Sequence, residues 1–195
     1  MINRGLTRHA AVPVKGSVGA VAAANNTNMG DVFLEVNTVC IVDISGSMSS
    51  DGSEPGTSRW EFARQALSRL QNERPGKVAL VAFSESPQFC PDGQLPIVRG
   101  STCVGEALKF AKLADVPGMS LLLISDGQPT DGNAGLVIAR TFDQKIDTIY
   151  VGPRHDVGAQ NFLKRLSAAT GGKHVDDFAC VKLLTSMDSL LPPPK

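Results

Sequence analysis

Asp43, Ser45 and Ser47 stand at alternate positions in "TVCIVDISGSM", where an apolar run opens onto small, oxygen-bearing residues. A second carboxylate, Asp126, follows another apolar run in "LLLISDG", and Ser101 and Thr102 stand in "RGSTCVGEAL" just ahead of a helical pattern. The three segments offer carboxylates and hydroxyls and nothing else. A donor set made only of oxygen selects a hard cation, Mg²⁺ first, with Mn²⁺ or Ca²⁺ as the other candidates. Two carboxylates on a divalent ion leave it close to neutral, so an open position keeps affinity for one more anionic oxygen, such as a Glu or Asp carboxylate donated by a protein ligand. Taken singly, Ser and Asp after a strand are ordinary turn and N-cap residues. Their joint occurrence at three junctions is what points to a site. Ser101, Glu85 in "FSESP" and Asp131 in "QPTDGNAG" extend the rim as candidate partner contacts, although an exposed strand end and a turn aspartate also account for the last two.

For these residues to meet, several strand ends must share one rim, as they do in an open parallel sheet, where ligands bind at the carboxyl ends of the strands. The chain supplies such strands. "VFLEVNTVCIVD" reads as the first, apolar on both faces in its second half, as in a sheet covered by helices on both sides. Ser58 and Glu61 form a capping box, followed by Trp60, Ala63, Ala66, Leu67 and Leu70 at helical spacing up to Pro75. "KVALVAFSE" is the second strand. "QLPIV" is a short third, placed at an antiparallel edge because Pro96 cannot donate to a ladder and the connection is too short for a crossover helix. Val104, Ala107, Leu108, Ala111 and Ala114 mark the next helix, and then strand and helix alternate through "MSLLLISDG", "AGLVIARTF", "IDTIYVG" and a helix with Phe162, Leu163, Leu166 and Ala169 that stops at Gly171. A short strand around Lys173 to Val175 and a last helix with Phe178, Val181, Leu184 and Met187 follow. The expected fold is a doubly wound α/β domain: a mostly parallel central sheet with one short antiparallel edge strand and helices on both faces.

The domain is expected over residues 32–191, with a frayed tail at 192–195. Residues 1–31 are nearly free of acidic side chains and poor in large apolar ones, and are expected to form a mobile or loosely docked arm. A chain of 195 residues holds one core of ordinary size, and its 42% hydrophobic and 19% charged residues are those of a globular protein. Nineteen basic residues balance 19 acidic ones, which leaves no bulk field for nucleic acid or an anionic membrane. No run approaches the ~20 apolar residues that span a bilayer. Arg4 and Arg8 precede a stretch of small residues, but Pro13, Lys15, Gly16 and Gly19 interrupt what would be a leader's apolar region. The cytoplasm is therefore the expected compartment, and a secreted protein the alternative if the arm is cleaved. Cys40, Cys90, Cys103 and Cys180 form no C-x-x-C pair and are expected to be reduced thiols.

"DISGS" matches the D-x-S-x-S motif of von Willebrand factor A (vWA) domains; "GSTCVGEAL" resembles their threonine loop and "LLLISDG" their strand ending in a distal aspartate. The resemblance runs from Val32 to Leu191 and implies a Rossmann-like fold with a metal-ion-dependent adhesion site. In that site Ser45, Ser47 and Thr102 would supply hydroxyls, while Asp43 and Asp126 would bind directly or through water. Ser101 departs from the glycine common at its position and tightens the threonine loop. By analogy, the last helix, Asp177 to Leu191, is a candidate moving part. A stand-alone domain of this kind resembles small intracellular microbial proteins of tellurium-resistance-type and AAA+ ATPase-associated systems. No enzyme is expected. A phosphatase of the haloacid dehalogenase type needs an aspartate where Ser45 stands, and neither Ser45 nor Ser47 sits in G-x-S-x-G. Phosphate-cradling glycine motifs are also missing. A metal-dependent hydrolase or phosphatase built on the Asp43 strand end, and a secreted adhesin, are the alternative readings.

Overall fold

A computed structural model describes residues 12–193. Its centre is a six-stranded sheet in the order β3-β2-β1-β4-β5-β6, formed by β1 (Thr38–Asp43), β2 (Val78–Phe83), β3 (Pro87–Phe89), β4 (Ser120–Ser125), β5 (Ile146–Tyr150) and β6 (His174–Asp176). All neighbours are parallel except β2 and β3. The chain leaves β1 toward β2 on one side and later returns to β4 on the other, so the strand order reverses at β1 and β4. That is the place where such a sheet leaves a crevice.

Every residue of β1 and β2 is buried, because each has a strand on both edges and helices on both faces. Alternation along β1 divides the core. Val39 and Ile41 join Leu121, Leu123, Leu108, Leu163 and Leu166 on one face. Cys40 and Val42 join Leu80, Leu122, Ile124, Leu67 and Leu70 on the other. The first face is covered by α4 (Val104–Ala111), α5 (Ala134–Ala139) and α6 (Val157–Thr170), the second by α3 (Arg59–Glu73) and α7 (Leu183–Leu190). The capping box of Ser58 and Glu61 forms as its sequence predicts, and α6 ends on Gly171 in the left-handed conformation, φ +72°.

Four expectations change. The apolar stretch from Val32 is not one strand: α2 (Met29–Phe33) occupies its first residues and β1 begins only at Thr38. The antiparallel edge exists, but Pro87–Phe89 provides it; the segment around Pro96 is a loop whose Pro96 carbonyl accepts a hydrogen bond from Trp60 Nε1 at 2.7 Å. Pro87 opens the edge strand, a position where a missing N–H is harmless. The arm is also more firmly held than expected from residue 14 onward. Val14 and Gly19 donate to the carbonyls of Asp92 and Pro91 at 2.8 and 2.7 Å, Ser17 caps α1 (Val18–Ala24), and Val18 and Ala22 are buried. Small residues permit this docking: a Cβ on Gly16 would fall 2.1 Å from the Gln71 carbonyl oxygen. Residues 1–11 lie outside the described part, as do Pro194 and Lys195 of the expected tail, while the Pro192 carbonyl accepts from Arg74. The last expected helix is two pieces, a single turn at Phe178–Cys180 and α7, broken by positive φ at Ala179 and Cys180.

Candidate functional site

Asp43 is the last residue of β1 and is fully buried. Its Oδ1 accepts the Ser45 N–H at 2.7 Å, closing a tight turn that lifts Ser45 and Ser47 above the sheet. Its Oδ2 accepts the Ser125 hydroxyl at 2.6 Å from the end of β4, the neighbouring strand. Ser45 and Ser47 hydroxyls lie 3.1 Å apart, and Ser47 Oγ donates to Asp126 Oδ1 at 2.6 Å. Asp126 Oδ2 receives Arg59 Nη1 at 2.6 Å. One hydrogen-bonded cluster thus joins the exits of β1 and β4. Ser47 is its exposed member, so the cluster opens to solvent there.

Thr102 enters from a third segment. Gly46 N–H donates to the Gly100 carbonyl at 3.0 Å, Arg99 N–H to the Ile44 carbonyl at 2.8 Å and Cys103 N–H to the Ser84 carbonyl at 2.9 Å, which fixes residues 99–103 over the β1 and β2 exits. Thr130 N–H and hydroxyl both donate to the Thr102 carbonyl, at 2.9 and 3.2 Å. Gly127 sits between the hydroxyls: a Cβ there would lie 3.5 Å from Ser47 Oγ and 3.6 Å from Thr102 Oγ1. Thr102 is buried and Ser101 half-buried. The structure therefore gathers Asp43, Ser45, Ser47, Thr102 and Asp126 at one rim.

The expected rim residues differ in what they do. Glu85 is exposed beside the threonine loop, where a Cβ on Gly100 would lie 3.2 Å from its carboxyl carbon. Asp131 does not face solvent as a free turn residue. Its Oδ2 accepts the Gly105 N–H at 2.6 Å, bonding the first turn of α4 from across the fold, and its Oδ1 is buried without a hydrogen-bond partner. Two residues that sequence reasoning overlooked complete the cluster. Ser125 reads as the last letter of an apolar strand, and Arg59 as a surface charge behind a helix cap; only the pairing of β1 with β4 and the inward turn of α3 bring them to the carboxylates.

Burial dominates the electrostatics of Asp43 and pushes its carboxyl up to about 6; the Ser125 hydrogen bond opposes this, the nearby Asp126 charge adds to it, and the Ser45 hydrogen bonds oppose it again. A buried carboxylate held by neutral donors is a group that a cation would stabilise. The donor set fits a hard divalent ion, with two carboxylates and two hydroxyls in the hydrogen-bonded cluster, a third hydroxyl from Thr102 across Gly127, and no sulfur or imidazole among them. Among the described residues, no group of three or more His, Cys, Asp or Glu side chains is placed to hold a metal, so any ion here would depend on the serine and threonine hydroxyls. Cys40, Cys90 and Cys180 are buried and Cys103 half-buried, all unpaired. No described helix is long and apolar enough to cross a membrane.

No known protein-family profile matches the chain, and no curated protein matches it in sequence. Solved structures do. An aerotolerance-related membrane protein from Bacteroides fragilis superposes with a TM-score of 0.63 at 15% identity, covering 80% of this chain and 98% of that one. The VWA domain of SpRpn10 gives 0.56 at 17% identity, over 80% of this chain and 94% of that one. Manganese-loaded TRAP from Plasmodium vivax gives 0.51 at 15% identity, over 83% and 73%. At these identities the likeness concerns the fold, and the fold is the Rossmann-like α/β architecture of vWA domains.

Proposed function

We propose that this protein is a non-catalytic, divalent-cation-dependent module that captures a Glu or Asp carboxylate of a protein partner. The observation that carries this reading is the convergence of Asp43, Ser45, Ser47, Thr102 and Asp126 at the switch point of the sheet, an all-oxygen cluster open on the Ser47 side. Ser45, Ser47 and Thr102 would hold the ion through hydroxyls, with Asp43 and Asp126 supplying the negative charge. A bound Mg²⁺ or Mn²⁺ would offer a Lewis-acid position to an incoming carboxylate oxygen. The manganese reported for the TRAP structure supports a divalent ion in this fold. The burial of Asp43 supports binding over catalysis: both its oxygens are committed, to Ser45 and Ser125, whereas a phosphatase nucleophile must be exposed to substrate. Specificity would come from the loops around the mouth, including Ser101, Glu85 and residues 49–58. An intracellular setting in a microbial tellurium-resistance-type or AAA+-associated system is the context we infer from the resemblance alone.

Thermal unfolding in EDTA, Mg²⁺ and Mn²⁺ tests the cation directly. At about 100 times the dissociation constant, linkage stabilises the fold by about 2.7 kcal/mol, on the order of 5 to 10 °C for a domain of this size. Wild type is expected to show that rise and Asp43→Ala to lack it. An equal response of both proteins, or of neither, overturns the reading.

A further inference from the structure

We propose that Arg59 is an internal competitor of the cation: its guanidinium occupies an Asp126 oxygen and sets its own charge against the incoming ion. The inference rests on the cation-binding reading above and concerns a residue outside the donor set.

Arg59 is the first residue of α3, behind the Ser58 cap, and its N–H donates to the Ser50 carbonyl at 3.0 Å. That anchoring aims its side chain under the mouth of the site, where Nη1 meets Asp126 Oδ2 at 2.6 Å and the Ser47 carbonyl at 3.5 Å. The pair is buried, with side-chain exposures of 11% for Arg59 and 0% for Asp126. It is also a one-nitrogen contact. Nη1 serves both acceptors, while Nε is buried without a partner. A guanidinium gripping a carboxylate with two parallel bonds would be the stronger arrangement. Here Asp126 is neutralised by a partner that is not fully satisfied, and a divalent ion can outcompete it.

The charge count gives the direction of the effect. Asp43 and Asp126 bring two negative charges, Arg59 returns one positive charge, and among the described residues no other charged side chain bonds to either carboxylate. A cation arriving at the cluster therefore meets one net negative charge where the donor set by itself would present two. The loaded cluster then carries a net positive charge that one carboxylate from outside cancels. Arg59 weakens the hold on the ion and leaves the ion more receptive to an anion.

Mn²⁺ binding to the full chain, titrated calorimetrically at pH 7.5, tests this with Arg59→Gln, which keeps an N–H donor and removes the charge, and with Arg59→Met, which removes both. We expect either variant to bind Mn²⁺ about tenfold tighter or more than wild type, as removing one unit of like charge from a partly desolvated site predicts. A gain is diagnostic because structural damage can only weaken binding. Should one variant fail to fold in EDTA, the other supplies the comparison, and failure of both overturns the proposal, because Arg59 is then a residue that the metal-free fold requires. Binding in the variants that equals or falls below a measurable wild-type affinity overturns the proposal and makes Arg59 a positioning residue for Asp126. Binding in the variants with none in wild type supports it. No binding in any of the three defeats the cation reading itself.

Discussion

Asp43 and Asp126 are carboxylates at the exits of adjacent strands, both out of contact with water, yet the protein holds them by different means. Asp43 is surrounded by neutral donors, a backbone N–H and a serine hydroxyl. Asp126 is paired with a full positive charge as well as a hydroxyl. The difference teaches where each charge is vulnerable: dipoles hold Asp43 with its carboxyl displaced upward, whereas Asp126 depends on Arg59 remaining in place.

The largest expected effect separates the two. Asp126→Ala strands the buried Arg59 charge and should cost roughly 3–5 kcal/mol in EDTA, measured by denaturant unfolding. Asp43→Asn, which removes a charge that burial disfavours, should stay within about 1 kcal/mol of wild type under the same conditions. Equal losses would break the comparison. Ser125→Ala comes next, leaving Asp43 Oδ2 without its donor; a loss of roughly 1–3 kcal/mol is expected, together with a further upward displacement of the Asp43 carboxyl, readable in its ¹³C chemical shift against pH. Ser58→Ala should cost about 1 kcal/mol through the cap of α3, and a larger loss would mean that the cap also fixes Arg59 against Asp126.

The smallest effect lies away from the site, at β6. His174 contacts Thr148 Oγ1 through Nδ1 at 2.7 Å and Asp176 Oδ1 through Nε2 at 2.9 Å. Burial of the ring outweighs the Asp176 charge and lowers the His174 value. The unfolded chain then binds more protons between that value and the ordinary ~6.5, so stability is present above this window and lost as pH falls through it. Asp176 is also lowered overall: burial opposes this, and its bonds to His174 and Lys164 prevail, giving an acid loss of the same sign below the ordinary carboxylate value. Wild type should therefore lose more unfolding temperature between pH 7.5 and 5.5 than His174→Phe, and an equal loss would place the acid sensitivity elsewhere.

Much of the site was legible because its residues sit at punctuation: Asp43 ends an apolar run, Asp126 follows another by way of Ser125, and Thr102 stands two residues ahead of a helical pattern. The buried strands were legible from their apolar runs, although the run from Val32 hid the start of β1 behind a short helix. Arg59 and Ser125 escaped because their roles come from sheet register and helix orientation, which no local pattern encodes. The arm was misread because α1 is built from Ala, Val and Gly, residues that bury little area each; its hold comes from backbone contacts that small side chains allow. The edge strand was displaced because both Pro87 and Pro96 satisfy the rule that proline belongs at an edge, and only pairing with β2 chooses between them.

The six residues from Ser125 to Thr130 touch every segment of the cluster. Ser125 holds Asp43, Asp126 meets Ser47, and Thr130 grips the carbonyl of Thr102. This short stretch works as a clasp with three fingers. The stretch starts inside the sheet, as the buried end of β4, so the positions of all three segments are referred to a single strand end.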